Sequence, residues 1–106
     1  MKEKNNEKSS FGITEISSGC YVLRTKNDND QVQRLNHGVA QNFLQFHFCL
    51  KGQMNFNYNE GNYTFPLNED HSMLLYNPAN ELPIDVELSP NTWLVSIFVS
   101  ITEFHA

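Results

Sequence analysis

Beyond position 51 the sequence contains no lysine and no arginine. All seven basic residues, Lys2, Lys4, Lys8, Arg24, Lys26, Arg34 and Lys51, lie in the first 51 of 106 positions, while the segment from Gly52 onward carries seven acids. Proteins that bind nucleic acid draw most of their affinity from clustered cations that neutralise phosphates, so this chain by itself is not expected to bind DNA. Cysteine is nearly absent too. Cys20 and Cys49 sit far apart in apolar, strand-like surroundings, which excludes the disulfide framework of a small secreted domain and a zinc ribbon. They read as reduced thiols, as in a cytoplasmic protein. There is no run of about 18 apolar residues, and the opening MKEKNNEKSS has charge without an apolar stretch, so neither a membrane span nor a signal peptide is expected. No amphipathic helix of about three turns can be traced before residue 100.

What the sequence does have is alternation. A chain of 106 residues makes one domain and can bury a core without staples. Residues 1–10 are polar and read as a disordered tail, so the domain is expected over residues 11–106. ITEISSGCYVLRT is strand material interrupted at Ser17-Ser18-Gly19, and KNDNDQ is a polar turn-rich loop. In FLQFHFCL, Leu44, Phe46, Phe48 and Leu50 make an apolar face while Phe43, Gln45, His47 and Cys49 make a mixed one, so this strand is expected to be buried on both sides. Gly52 breaks the run. QMNFNYN resumes it with Met54, Phe56 and Tyr58 on one face, NEGN makes a hairpin turn, and Pro66 keeps YTFPL out of a central ladder position. HSMLLYNP reads as a further buried strand, LPIDVEL alternates, and TWLVSIFVSI carries Trp93, Val95, Ile97, Val99 and Ile101 on one face. Short strands joined by turns at this spacing describe an all-β sandwich or barrel. SITEFHA then fits a capping box, with Ser100 as N-cap and Glu103 three residues on, so a helix is expected just where the sequence ends, as though part of something longer.

The stretch from Phe43 to Pro78, together with TWLVSIFVSITEFHA, resembles the N-terminal cupin-type effector domain of AraC-type bacterial transcription regulators. The features that carry the resemblance are the His-bearing strand running into Lys51-Gly52-Gln53, the turn at Glu60-Gly61, the strand ending at Pro78 and the closing strand with its tryptophan. The resemblance implies a small jelly-roll barrel that senses a small molecule or mediates homodimerisation. Its DNA-binding helix-turn-helix domain would lie beyond residue 106. It further implies that the His47 strand presents Phe43, Gln45, His47 and Cys49 inward, where they meet Tyr58, Tyr76 and Trp93 around an apolar pocket with a few polar groups. The scarcity of cations in the barrel-forming half favours a neutral or cationic ligand. The homodimer interface is expected near the C-terminal strand and the helix beginning at Ser100.

Two other classes fit parts of the sequence. A metal-dependent cupin enzyme holds its ion with an HxH pair, a nearby glutamate and a later histidine. Here the pair is His47 with Cys49, the glutamate position holds Gln53 or Met54, and NPANELP has no histidine. No metal, no cofactor and no catalytic activity are therefore expected. A jelly-roll carbohydrate-binding module would explain the eight Phe, four Tyr and one Trp, but aromatic residues on strands are more often core. For His47 the choice lies between pocket lining and a buried ring satisfied by its neighbours. His37, beside Gly38, reads as a loop residue, and His71 and His105 as surface residues. Asp85 and Glu87 alternate onto a solvated face.

Overall fold

The computed structural model describes residues 9–58 and 61–105. Most of the expected tail, residues 1–8, and two residues of the NEGN turn lie outside that range. Nine strands follow in order: β1 (Ser9–Ser17), β2 (Cys20–Asn27), β3 (Gln33–His37), β4 (Phe43–Lys51), β5 (Gln53–Tyr58), β6 (Tyr63–Asn68), β7 (Ser72–Tyr76), β8 (Ile84–Leu88) and β9 (Thr92–Ser100). The five-residue helix α1 (Ile101–His105) is the only helix among the described residues. The strands form two antiparallel sheets, one in the order β1-β2-β9-β4-β7 and the other in the order β3-β8-β5-β6. No helix is long and apolar enough to cross a membrane among the described residues.

The core lies between the sheets and is built by period-two alternation. From the four-stranded sheet come Met54, Phe56, Leu67, Ile84, Val86 and Leu88, and from the five-stranded sheet Leu23, Leu94 and Phe98, all buried. LPIDVEL behaves as its pattern requires, with Asp85 and Glu87 on the outer face. There Arg34 of β3 grips Asp85 through Nε and Nη2 at 2.9 and 2.8 Å, a forked geometry that suits a guanidinium and a carboxylate. Pro66 sits on β6, at the edge of its sheet, where a missing N–H costs no ladder bond.

The Lys51-Gly52-Gln53 corner moves the chain from one sheet to the other. The β4–β9 register slips between Cys49 and Lys51, and Gly52 has a φ of +83°. A side chain at Gly52 would collide with Thr92 Oγ1 and with the Asn91 carbonyl. Thr92 in turn ties down the corner, accepting from the Gln53 N–H at 3.2 Å and donating to the Gln53 carbonyl at 3.1 Å. At the same end of the barrel the buried Asn27 amide donates toward the carbonyls of Leu88 and Ser89, both at 3.1 Å. At the other end Ser100 Oγ accepts from the Glu103 N–H at 3.2 Å, the N-cap half of the expected capping box.

Three expectations need correction. QRLNH is a strand, β3, so His37 ends a strand rather than standing in a loop, and its half-buried ring lies 5.8 Å from that of Phe11. β7 is not buried on both sides. It is the edge of the five-stranded sheet, with Leu74 57% and Tyr76 43% exposed. Ile101 belongs to α1 and not to the β9 face.

Candidate functional site

Three polar side chains lie fully buried inside the barrel on the two central strands of the larger sheet. His47 of β4 and Ser96 of β9 are cross-strand partners, and Gln45 is the inward neighbour of His47 two residues earlier. Gln45 Nε2 donates to the Leu82 carbonyl at 2.7 Å, which turns its Oε1 toward His47 Nε2, 2.9 Å away. His47 Nδ1 is 2.6 Å from Ser96 Oγ. The Leu82 carbonyl can only accept, so Gln45 Oε1 must accept as well and His47 must carry a proton on Nε2. In the neutral ring Nδ1 is then bare and takes the Ser96 O–H. Burial pushes the His47 pKa down from 6.5 to about 4, which keeps the ring in this neutral form at ordinary pH. The rings of Phe56 and Phe98 pack against it at 4.7 and 6.0 Å. The chain Ser96–His47–Gln45–Leu82 therefore satisfies itself.

Beyond Leu82 the barrel opens. A cleft of about 750 Å³ at this end is walled by Asn36, Asn57, Tyr58, Tyr63, Asn77 and Asn80, with Glu81 and Leu82 from the loop before β8. Among the described residues no lysine or arginine lines it, and its Asp85 is held by Arg34. Amides and phenols that both donate and accept, beside a Glu81 with no ion pair among the described residues, suit a neutral polar or cationic molecule. Tyr58 stands in the wall with its ring parallel to Phe56, and its buried hydroxyl has no hydrogen-bond partner. Burial raises the Tyr58 pKa far above its usual value. A second cavity of about 250 Å³ is apolar, lined by Ile13, Tyr21, Val39, Phe43 and Phe98, and shares only His37 and Gly38 with the first.

The residues expected to meet in one pocket divide into three groups. Gln45, His47 and Cys49 do point inward and are buried. Phe43 lines the apolar cavity and Tyr58 the polar cleft. Tyr76 and Trp93 lie on the outer face instead. On β9 the buried positions are Thr92, Leu94, Ser96, Phe98 and Ser100, so Trp93 has the opposite parity. Its indole N–H donates to Asp28 at 2.8 Å, and Lys26 and Lys51 stand over the ring. On β7 the half-buried Met73 and Leu75 face in, and Tyr76 turns out to donate to Asn42 Oδ1 at 2.7 Å. Ser96 and the asparagines of the cleft were missed. The spacing of Thr92, Ser96 and Ser100, every fourth residue of β9, was the signal for a polar inward face.

Metal ligation does not fit these groups. Both nitrogens of His47 are engaged, and the Cys49 thiol is turned to the carbonyls of Lys51 and Gly52 at 3.5 and 3.4 Å. Burial raises the thiol pKa, so the thiolate a metal needs is disfavoured. Among the described residues no group of three or more His, Cys, Asp or Glu side chains is placed to hold an ion.

No family model matches the sequence, and no curated protein does. Solved structures match over about nine tenths of the chain. An RmlC-like cupin protein from Desulfovibrio desulfuricans has a TM-score of 0.67 at 11% identity, over 90% of this chain and 85% of that one. A double-stranded β-helix protein from Klebsiella pneumoniae has a TM-score of 0.65 at 11% identity, over 90% and 79%. An HTH_3-family transcriptional regulator from Vibrio cholerae has a TM-score of 0.64 at 10% identity. This chain covers 52% of that regulator's length and matches it over 90% of its own. With two antiparallel sheets closed around one core, and these neighbours, the chain has the cupin fold, the double-stranded β-helix.

Proposed function

We propose that this cupin domain is the ligand-sensing part of a bacterial transcription regulator of AraC type. It binds a neutral or cationic small molecule and controls a separate DNA-binding domain, and it is not an enzyme. The observation that carries the reading is the contrast between the two polar regions. The buried chain around His47 has its hydrogen bonds closed, is sealed from solvent and from any substrate, and offers no open ligand position. The cleft next to it is open, holds amides and phenols and, among the described residues, has no lysine or arginine in its lining. Such a site can recognise a molecule without reacting with it. A regulator from Vibrio cholerae that shares the fold supports the wider setting, and the AraC-type class follows from the sequence resemblance.

The experiment is a thermal-shift screen of neutral polyols and small amines. A binder should raise Tm with rising concentration, by mass action. That shift should be lost in Tyr63→Ala and Glu81→Ala, which alter exposed cleft residues. A metal-dependent turnover of any such compound, or a shift that survives both substitutions, would count against the proposal.

A further inference from the structure

Two cavities of opposite chemistry meet at one end of the barrel. The polar cleft and the apolar cavity of about 250 Å³ share His37 and Gly38, where the chain leaves β3. The apolar cavity lies on the side where the two sheets are not joined. β1 and β3 are outer strands of different sheets, so no ladder closes the gap between them, and the rings of Phe11 and His37 approach across it at 5.8 Å. Phe11 and Ile13 share the inward parity of their partners Thr25 and Leu23, yet they are 49% and 44% exposed. Next to Ile13 the cavity is walled by Tyr21 and Phe98, cross-strand partners on β2 and β9, with the Phe43 ring 6.3 Å from that of Tyr21. Inward apolar side chains that stay wet gain when an apolar group covers them. We infer that the ligand is a single-chain amphiphile, with a neutral or cationic head in the cleft and an unbranched alkyl tail that crosses at His37 and Gly38 into the apolar cavity.

Size, access and charge each narrow the molecule. An apolar cavity of about 150 Å³ takes benzene, so this one holds a tail of roughly six to ten carbons and has no room for the paired chains of a membrane lipid. The crossing point is open, because Gly38 has no side chain and even a Cβ there would meet no atom within 4 Å. Leu82, Tyr58 and Asn57 close the cleft on its far side, so a molecule seated in the cleft extends most freely past Gly38. Charge selects the head. Glu81 has no ion pair and no lysine or arginine lines the cleft among the described residues, so a fatty acid of the same length is rejected where an alkylamine is accepted. The head half of this inference rests on the cleft reading above, whereas the tail half stands on the apolar cavity alone.

The test is a titration of the 106-residue chain at pH 7.5 with n-alkylamines from butyl to decyl, each below its aggregation concentration, with thermal melts to show that each variant is folded. The Kd should fall by about fourfold per methylene and level off once the cavity is full. Octanoate should bind at least about tenfold more weakly than octylamine. Ile13→Asn, at a half-exposed cavity position, should flatten the chain-length series and leave butylamine unaffected, whereas Ile16→Asn, on the same strand but outside the cavity, should leave the slope unchanged. Glu81→Ala should weaken every amine. Butylamine binding that depends on Glu81, with no gain from longer chains, overturns the tail site and leaves the cleft reading standing. A slope that survives in folded Ile13→Asn, or is lost in Ile16→Asn, overturns it as well. A chain-length series that Glu81→Ala does not change overturns the two-part ligand and counts against the cleft reading. If no amine of any length binds, the amphiphile is overturned, and the polyols of the earlier screen decide separately whether the cleft reading falls with it.

Discussion

Acidification should weaken the fold through one residue, His47. Burial lowers its pKa from 6.5 to about 4, so the unfolded chain takes up a proton at this site before the folded chain does. Stability from this group is full above pH 6.5, is lost as pH falls toward 4, and changes no further below that. At about 1.4 kcal/mol per pKa unit, the loss is about 3 kcal/mol in total and about 2 kcal/mol by pH 5. For a domain of this size, with about 5–15 kcal/mol of stability, that is a large share. The assay is urea unfolding at steps from pH 7.5 to pH 4, on the wild type and on His47→Met. Every other group is common to both proteins, so only the difference is read. At pH 7 the variant should be less stable by about 2–3 kcal/mol, because Ser96 and Gln45 lose their partner. As pH falls the wild type alone pays the protonation cost, and the gap should close. Stability curves that stay parallel from pH 7.5 to 4 would refute the burial argument.

Two further substitutions probe separate parts of the account. Tyr58→Phe removes a buried hydroxyl that has no partner, so thermal unfolding should show unchanged stability or a gain of up to about 1 kcal/mol; a clear loss would mean that the hydroxyl is bonded. Gly52→Ala should cost about 3 kcal/mol or more in urea unfolding, since the residue is left-handed and its new methyl meets Thr92 and the Asn91 carbonyl; a near-neutral result would show that the corner relaxes without effort.

Strands and turns were legible because alternation and turn chemistry are local. Ile84, Val86 and Leu88 reveal their face at once, because Asp85 and Glu87 mark the other as wet. β3 was not legible. In QRLNH only Leu35 is apolar, and the strand is an edge held to β8 by ladder bonds and by the Arg34–Asp85 fork, a partner 51 residues away. The facing of β9 failed for a different reason. Hydrophobic parity locates the inside only when the outside is polar, and here the outward set of Val95, Ile97 and Val99 looks more like core than the inward set of Thr92, Ser96 and Ser100. Trp93 belongs to that outward set, and on β7 Tyr76 shares the outward parity of Leu74. The inward facing of Gln45 and His47 was read correctly, but what closes around them comes from Ser96 and the Leu82 carbonyl, at separations of 49 and 37 residues.

The central claim is that the open cleft receives a ligand while the buried chain around His47 only holds the barrel together. The direct measurement is a ¹H–¹⁵N correlation spectrum of the labelled domain titrated with a compound from the polyol and amine screen. The account predicts shifts confined to Asn36, Asn57, Tyr63, Asn77, Asn80 and Glu81, with the His47 ring still neutral and protonated at Nε2. Shifts centred on Val22, Phe46 and Ile97, or a His47 ring that changes tautomer or charge on binding, would contradict it.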